Sequence, residues 1–229
     1  MTVLPFGAVA HGVTEGSVWS IVVGAGSGQR FGGLKQYEML GDRRVIDHAV
    51  AVAREASDGV VIVVAADDAE REGGVAGGET RTQSVLAGLN AVPDEAAIIC
   101  VHDAARPFAD VEIFERVIAA VRAGADGAIP GVSVTDTIKV IDTTPDGTRR
   151  VGSTPERSTL VAVQTPQAFR ADRLREAHRV AADARSSATD DAALVEGMGG
   201  TVVVIEGSDR NRKITSPEDL VWARAEVGR

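Results

Sequence analysis

The sequence predicts an α/β fold built on a mostly parallel sheet with covered faces, interrupted once by a β-hairpin. Three observations predict it. Short apolar runs rich in β-branched residues alternate with amphipathic stretches of helical length, the pattern of βαβ crossovers. A chain that is 44% hydrophobic but only 3% aromatic must pack its core mainly with Val, Ala, Ile and Leu, which suits strands buried on both faces. A single Thr-Pro-Asp-Gly turn, residues 144 to 147, sits between two alternating pieces and breaks the series.

In chain order, residues 1 to 17 show no sustained period and read as an N-terminal extension outside the core. From Val18 the pattern of a single domain begins and continues to residue 229. VWSIVV (18 to 23), GVVIVVAA (59 to 66), AAIICVH (96 to 102) and GAIPGV (127 to 132) are the strand candidates. Between them, VIDHAVAVAREA (45 to 56), TQSVLAGLNAV (82 to 92) and VEIFERVIAAVRA (111 to 123) carry the apolar spacing of helices. Residues 134 to 163 form the ribbon around the turn. A two-stranded ribbon is marginal alone, so a second subunit is expected to cover it. The chain closes with a helix after Thr189, a strand TVVVIEG (201 to 207) and a helix opening Ser216-Pro217-Glu218-Asp219, with Ser as cap, Pro at the first position and an acid three residues after the cap.

A formal charge of -9 argues against nucleic acid or an anionic membrane as partner, so an anionic ligand would need a local basic pocket. No Lys or Arg precedes Arg30, and the apolar run VVIVVAA (60 to 66) is far shorter than the roughly 20 residues of a membrane span. A cytoplasmic location is expected. The lone Cys100 lies in an apolar run and reads as a core residue, and the four histidines show no metal-ligand spacing, with only His102, beside Asp103, worth attention.

The first chemical segment is VGAGSGQRFGGLKQ, residues 23 to 36, after the first strand. A dinucleotide fingerprint fails at Gln29 or Phe31, and a P-loop counted from Gly28 fails at Leu34 and Lys35. A nucleophile elbow around Ser27 fails at Ala25 and Gln29. What remains is a loop whose glycines let backbone N–H groups approach a ligand, with Arg30 and Lys35 spaced to embrace a phosphate chain, or else a surface turn. The second segment, GGETRTQSVLAGL (77 to 89), runs from a Gly-Gly turn into a helix. Its amides and hydroxyls can read a base edge, with Arg81 adding a charge, or simply cap the helix.

In VHDAARPF (101 to 108), Asp103 stands at the end of a strand, where one carboxylate can share Mg2+ with substrate phosphates, and Arg106 could meet phosphate. Asp103 could equally cap the following turn. Asp136, Thr137, Lys139 and Arg157 lie along the ribbon, Thr189 and RNRKIT (210 to 215) towards the end. Only three lysines occur, Lys35, Lys139 and Lys213, and two of them fall in segments read as phosphate-facing.

Taken in order, GAGSGQR, KQY, GGETRTQSVLAGL, VHDAARP, DTIK, PERSTLVAVQTPQAF, TDD and KIT-PEDL resemble the 2-C-methyl-D-erythritol 4-phosphate cytidylyltransferases over roughly residues 18 to 227. The resemblance implies a Rossmann-like α/β sheet and a homodimer whose hairpin arms interlock. It implies that Gly24, Ala25, Gly26, Ser27 and Gly28 wrap CTP, that Arg30 and Lys35 hold its triphosphate, and that Gly78, Glu79 and Ser84 face cytosine. Asp103, next to Ala104, would bind Mg2+. Arg106, Thr137, Thr165, Thr189 and Lys213 would line the methylerythritol phosphate side, and Arg157 would reach the neighbouring subunit's substrate phosphate. The chain departs from the usual family pattern at Gly24, Leu34 and Glu79, where Ala, Pro and Asp are common, and its loop between Arg30 and Lys35 is short.

The implied reaction is attack of a phosphomonoester oxygen on the α-phosphorus of CTP, with Arg30, Lys35, Lys213 and Arg157 as the charge-bearing residues. Ribitol 5-phosphate or another alditol phosphate would be an alternative acceptor. A catalytically weak nucleotide-binding regulator is the alternative of another class.

Overall fold

The computed structural model describes residues 15 to 26, 28, 31 to 184 and 188 to 227. Residues 1 to 14, most of the expected extension, lie outside that set, as do Ser27 and Arg30 of the glycine loop.

The chain opens with β1 (Val18–Val23), a 3-10 turn at Lys35–Tyr37, the short pair β2 (Met39–Leu40) and β3 (Arg43–Arg44), and α1 (Val45–Ala56). It continues through β4 (Gly59–Val64), α2 (Ala69–Glu72), β5 (Val75–Ala76), α3 (Arg81–Leu89), β6 (Ile98–Asp103), α4 (Val111–Arg122) and β7 (Gly127–Ser133). The arm strands β8 (Val140–Thr143) and β9 (Arg149–Ser153) follow, then β10 (Val161–Val163), β11 (Gln167–Arg170), α5 (Ala171–Asp183), α6 (Asp191–Gly197), β12 (Val202–Glu206) and α7 (Pro217–Val227).

The main sheet runs β10-β7-β11-β6-β1-β4-β5, with β12 on the other side of β7. β1 pairs in parallel with β4 and β6, as do β4 with β5 and β7 with β12. One strand breaks the expected succession. β11 inserts antiparallel between β6 and β7, so the third and fourth strand candidates of the sequence are not neighbours.

Alternation along each strand feeds two cores. Val18, Val22, Ile62, Val64, Ile98 and Cys100 face α1 and α4, packing on Ile46, Ala49, Phe114 and Val117. Ile21, Val61, Val63, Ile99 and Val101 face α3, α5 and α6, packing on Val85, Leu89, Leu174 and Val195. The few aromatic core residues, Phe114 and Phe169, are fully buried. A smaller cluster of Leu40, Val45, Ile214, Leu220 and Ala223 seats α7 against the β2 region.

The helix start read at Ser216 is built as expected: the Ser216 hydroxyl accepts from the Asp219 N–H at 3.3 Å, and the Asp219 carboxylate accepts from the Ser216 N–H at 2.9 Å. The Thr-Pro-Asp-Gly turn also forms, with Gly147 at φ +83° closing it and its N–H donating to Thr144 O. Every residue of β9 is exposed, and among the described residues β8 and β9 pair only with each other. The return of the ribbon leaves this hairpin, since β10 pairs with β7 in the main sheet. No helix among the described residues is long and apolar enough to cross a membrane.

Candidate active site

A cavity of about 580 Å3 lies beyond the carboxyl ends of β1 and β6. This is where open α/β sheets hold ligands. It gathers Gly24, Ala25, Gly26 and Gly28 from the first loop, Lys35 and Gln36 from the 3-10 turn, and Gly78, Glu79, Thr80, Arg81 and Ser84 from the start of α3. Asp103, Ala104 and Ala105 follow β6, and Lys213 arrives from the segment before α7. Segments separated by nearly 190 residues thus share one wall.

The glycine loop is held at both ends. The Gly24 N–H donates to Val63 O at 2.7 Å, and the buried Gln36 amide donates to Gly24 O at 3.0 Å. Gly28 sits at φ +65°, and a Cβ there would strike the Gly33 carbonyl, so the turn requires glycine. Lys35 follows on the turn that Gln36 and Tyr37 anchor, Tyr37 donating to Asp68 Oδ2 at 2.9 Å beneath the guanidinium of Arg71. Leu34, which stands where proline is common, is solvent-exposed.

At α3, Thr80 and Gln83 form a reciprocal cap. Ser84 lines the cavity, but its hydroxyl is committed within the loop: it accepts from the Gly78 N–H at 3.2 Å and donates to Thr80 O at 2.9 Å. Its place is therefore to shape the Gly77-Gly78 turn that presents Glu79.

Asp103 is the electrostatic centre. Its Oδ2 lies 2.7 Å from Lys213 Nζ, with Arg81 Nε at 3.7 Å and Arg106 Nε at 3.8 Å from the carboxylate. Burial alone would raise its pKa, yet Lys213, Arg81 and Arg106 outweigh burial and hold the carboxyl well below the usual aspartate range. Its backbone N–H donates to Thr165 Oγ1 at 2.9 Å. Ile214 N–H donates to Ala105 O at 2.8 Å, clamping the Lys213 segment to the strand end.

Arg106 and Thr165 support this carboxylate from behind and do not line the cavity. Arg106 is buried and donates to Asn211 O and Val163 O at 2.7 and 3.3 Å, while Asn211 donates to Thr165 O. His102 is enclosed by Phe114, Thr165 and Arg106 O, and burial pushes its pKa down to about 4, so it is a neutral imidazole at neutral pH. Cys100 is pushed up to about 12 by burial and is no nucleophile. Thr137, Arg157 and Thr189 are exposed and lie outside the cavity lining, with Arg157 Nη1 donating to Thr135 O at 2.8 Å at the arm's base.

A match over residues 18–229 to the family model for 2-C-methyl-D-erythritol 4-phosphate cytidylyltransferase completes these observations. The chain belongs to that family. It is 42% identical over 228 residues to the cytidylyltransferase of Syntrophotalea carbinolica, covering 91% of this chain and 95% of that protein. It is 44% identical over 225 residues to a "Bifunctional enzyme IspD/IspF" of Bradyrhizobium sp. strain ORS 278, and there spans only 56% of the relative's length. Among solved structures, the cytidylyltransferase of Thermus thermophilus has a TM-score of 0.76 at 31% identity, covering 91% of this chain and 98% of that one.

Two supports of the cavity wall carry no signal of their own in the sequence: Gln36 stands inside KQY and Asp191 inside TDD, and only their partners across the fold, Gly24 and Arg81, mark them. Among the described residues no three His, Cys, Asp or Glu side chains cluster to hold a metal.

Proposed function

We propose that the cavity binds CTP and that the protein transfers CMP to 2-C-methyl-D-erythritol 4-phosphate, giving 4-diphosphocytidyl-2-C-methyl-D-erythritol and pyrophosphate. The observation that carries this reading is the convergence, in a chain of this family, of the glycine loop, Lys35, Asp103 and Lys213 on one cavity.

In the reaction, a phosphate oxygen of the acceptor forms a bond to the α-phosphorus of CTP, the α–β bridging P–O bond breaks, and its electron pair leaves with pyrophosphate. Two anions must be brought together, and the protein's task is to orient and neutralise them. The amides of Gly24, Ala25, Gly26 and Gly28 line the first wall, Lys35 faces the triphosphate, Arg30 is assigned to the same triphosphate by its place in the loop sequence, and Lys213 stabilises charge around the α-phosphorus. The Gly78-Glu79 backbone, shaped by Ser84, reads cytosine. No covalent enzyme intermediate is invoked, in keeping with the inert Cys100.

Asp103 is the residue that would hold Mg2+. A single deprotonated carboxylate opening on a phosphate site suits an ion that takes one or two carboxylates and completes its shell with phosphate and water. When bound, the ion supplies charge neutralisation to the phosphates. Lys213, 2.7 Å from the same carboxylate, is then free to turn towards substrate.

The acceptor's phosphate is read by Lys213 with Thr137 and Thr189, while Thr165, buried and bonded to the Asp103 N–H, and Arg106 brace Asp103 from behind. The arm supports a homodimer. β8 and β9 expose Val140 and Val151, a paired ribbon of this kind is marginal unsupported, and a second copy gives it a surface to cover. Arg157, at the arm's base, then reaches the neighbouring subunit's acceptor. A reducing cytoplasmic setting agrees with a lone, buried cysteine.

Pyrophosphate release from CTP and Mg2+ tests the reading, with methylerythritol phosphate, ribitol 5-phosphate or no acceptor. Release with methylerythritol phosphate alone is expected. Release only with ribitol phosphate would replace the acceptor, and CTP binding without release under any condition would make the protein a nucleotide-binding regulator.

A further inference from the structure

Behind the cavity wall lies a chain of buried charges that the proposed reaction does not use. His178 on α5 and Asp191 at the start of α6 are 0% and 1% exposed, and His178 Nε2 lies 2.9 Å from Asp191 Oδ1. The other carboxylate oxygen, Asp191 Oδ2, lies 2.7 Å from Nη1 of Arg81, the first residue of α3. Arg81 in turn lines the cavity and places its Nε 3.7 Å from Asp103 Oδ1. One guanidinium is thus held between two carboxylates, one facing the site and one sealed behind it.

The pairing restricts Arg81 strongly. Arginine normally has many rotamers to lose, and an ion pair at Nη1 with Nε turned towards Asp103 limits the directions its guanidinium can take. Asp191 is itself fixed, since Asp190 caps α6 by accepting from the Ala193 N–H at 3.0 Å and His178 grips the Asp191 carboxylate from α5. Burial disfavours the Asp191 anion, but His178 and Arg81 outweigh that and keep it ionised. The arrangement costs desolvation of two ionic groups, and such pairs are better explained by specificity of geometry than by stability alone.

We infer that Asp191, gripped by His178, is a positioning residue that aims the Arg81 guanidinium at the anionic substrate in the cavity. The inference rests on the reading of the cavity as a CTP site. Arg81 stands beside Asp103 and on the same wall as Lys35 and Lys213, so its aim governs nucleotide affinity and the approach of the α-phosphorus together.

The test is a double-mutant cycle on the full chain with Arg81→Ala, Asp191→Asn and the combined variant, read in CTP Kd by calorimetry and in kcat and KM for each substrate. Asp191→Asn keeps the shape and removes the charge. It is expected to weaken CTP binding about tenfold or more, with KM for the acceptor little moved, and the combined variant should be no worse than Arg81→Ala. His178→Gln, which keeps a donor towards Asp191, should restore most of the CTP affinity lost in His178→Leu, provided both melt cooperatively. Additive losses, or a CTP Kd in Asp191→Asn equal to wild type, overturn the inference. A wild type that neither binds CTP nor releases pyrophosphate overturns the functional reading instead. In that case rotation and exchange of the Arg81 Nη protons by NMR decide the anchor: slow in wild type and fast in Asp191→Asn if Asp191 holds the side chain, unchanged if it does not.

Discussion

Lys213 Nζ lies 2.7 Å from Asp103 Oδ2, joining two residues 110 positions apart in the lining of the cavity. The pair places a cation beside a carboxylate held well below the usual aspartate range, where the proposed anionic substrate would bind. Lys213→Ala and Lys35→Ala are each expected to lower turnover at least ~100-fold while leaving the fold intact, because removing a contact to developing charge costs ~2.7 to 4 kcal/mol of barrier. Steady-state rates beside a far-ultraviolet spectrum check this, and a near-normal rate in either variant removes that lysine from the mechanism.

Gln36 is the structural support of Lys35. Its buried amide donates to the Gly24 carbonyl, joining the 3-10 turn to the end of β1. Gln36→Leu takes away that donor, and a buried acceptor left unpaired costs about 1 to 3 kcal/mol. Expected are a lower melting temperature and a raised KM for CTP. A variant that lost stability but kept its CTP affinity would show that the loop is positioned by other contacts.

The arm offers a test of assembly. Val151 is 59% exposed on β9, a strand that among the described residues pairs only with β8. Val151→Asp places a charge on the face assigned to the second subunit and is expected to shift the protein from dimer towards monomer in sedimentation velocity, with activity falling at low protein concentration. An unaltered dimer would take the arm out of the interface.

Asp219 gives a pH dependence with a defined sign. Burial opposes its ionisation, but hydrogen bonds from Thr215 and Ser216 prevail and hold it down to about 2, against 3.8 for an unperturbed aspartate. A depressed folded value contributes stability above pH 3.8 that is lost as pH falls through about 2. That contribution is about 2 kcal/mol at neutral pH. Denaturant unfolding of wild type and Asp219→Asn at pH 6 should differ by up to this amount, and the gap should close by the acid end. A gap independent of pH would assign the effect to packing.

What could be read from the sequence was local. The runs at 18 to 23 and 59 to 66, the helices at 45 to 56 and 111 to 123, and the starts at Ser216 and the Thr144 turn all appear, because strand alternation, helical spacing and capping depend on neighbours a few residues away. The glycine loop and Asp103 are legible for the same reason, residue type and place after a strand, while Lys35 and Lys213 stand out because the chain has only three lysines. Helix α5 was not read, since its buried face is made by Ala171, Leu174, Ala177, His178 and Ala181, with a single large aliphatic side chain to signal it.

Only the tertiary structure decided the rest. β11 enters antiparallel between β6 and β7, a register set by Phe169 and Ala168 filling the two opposite cores. Arg106 turned inward to carbonyls of Val163 and Asn211, and Arg81 found Asp191 across more than a hundred residues. Local pattern determines which segments become strands and helices, since those energies are summed over near neighbours. Which buried charge meets which is determined by the packing of α3, α5 and α6 on one sheet face, where low dielectric makes each unpaired charge costly and leaves few arrangements in which all are answered.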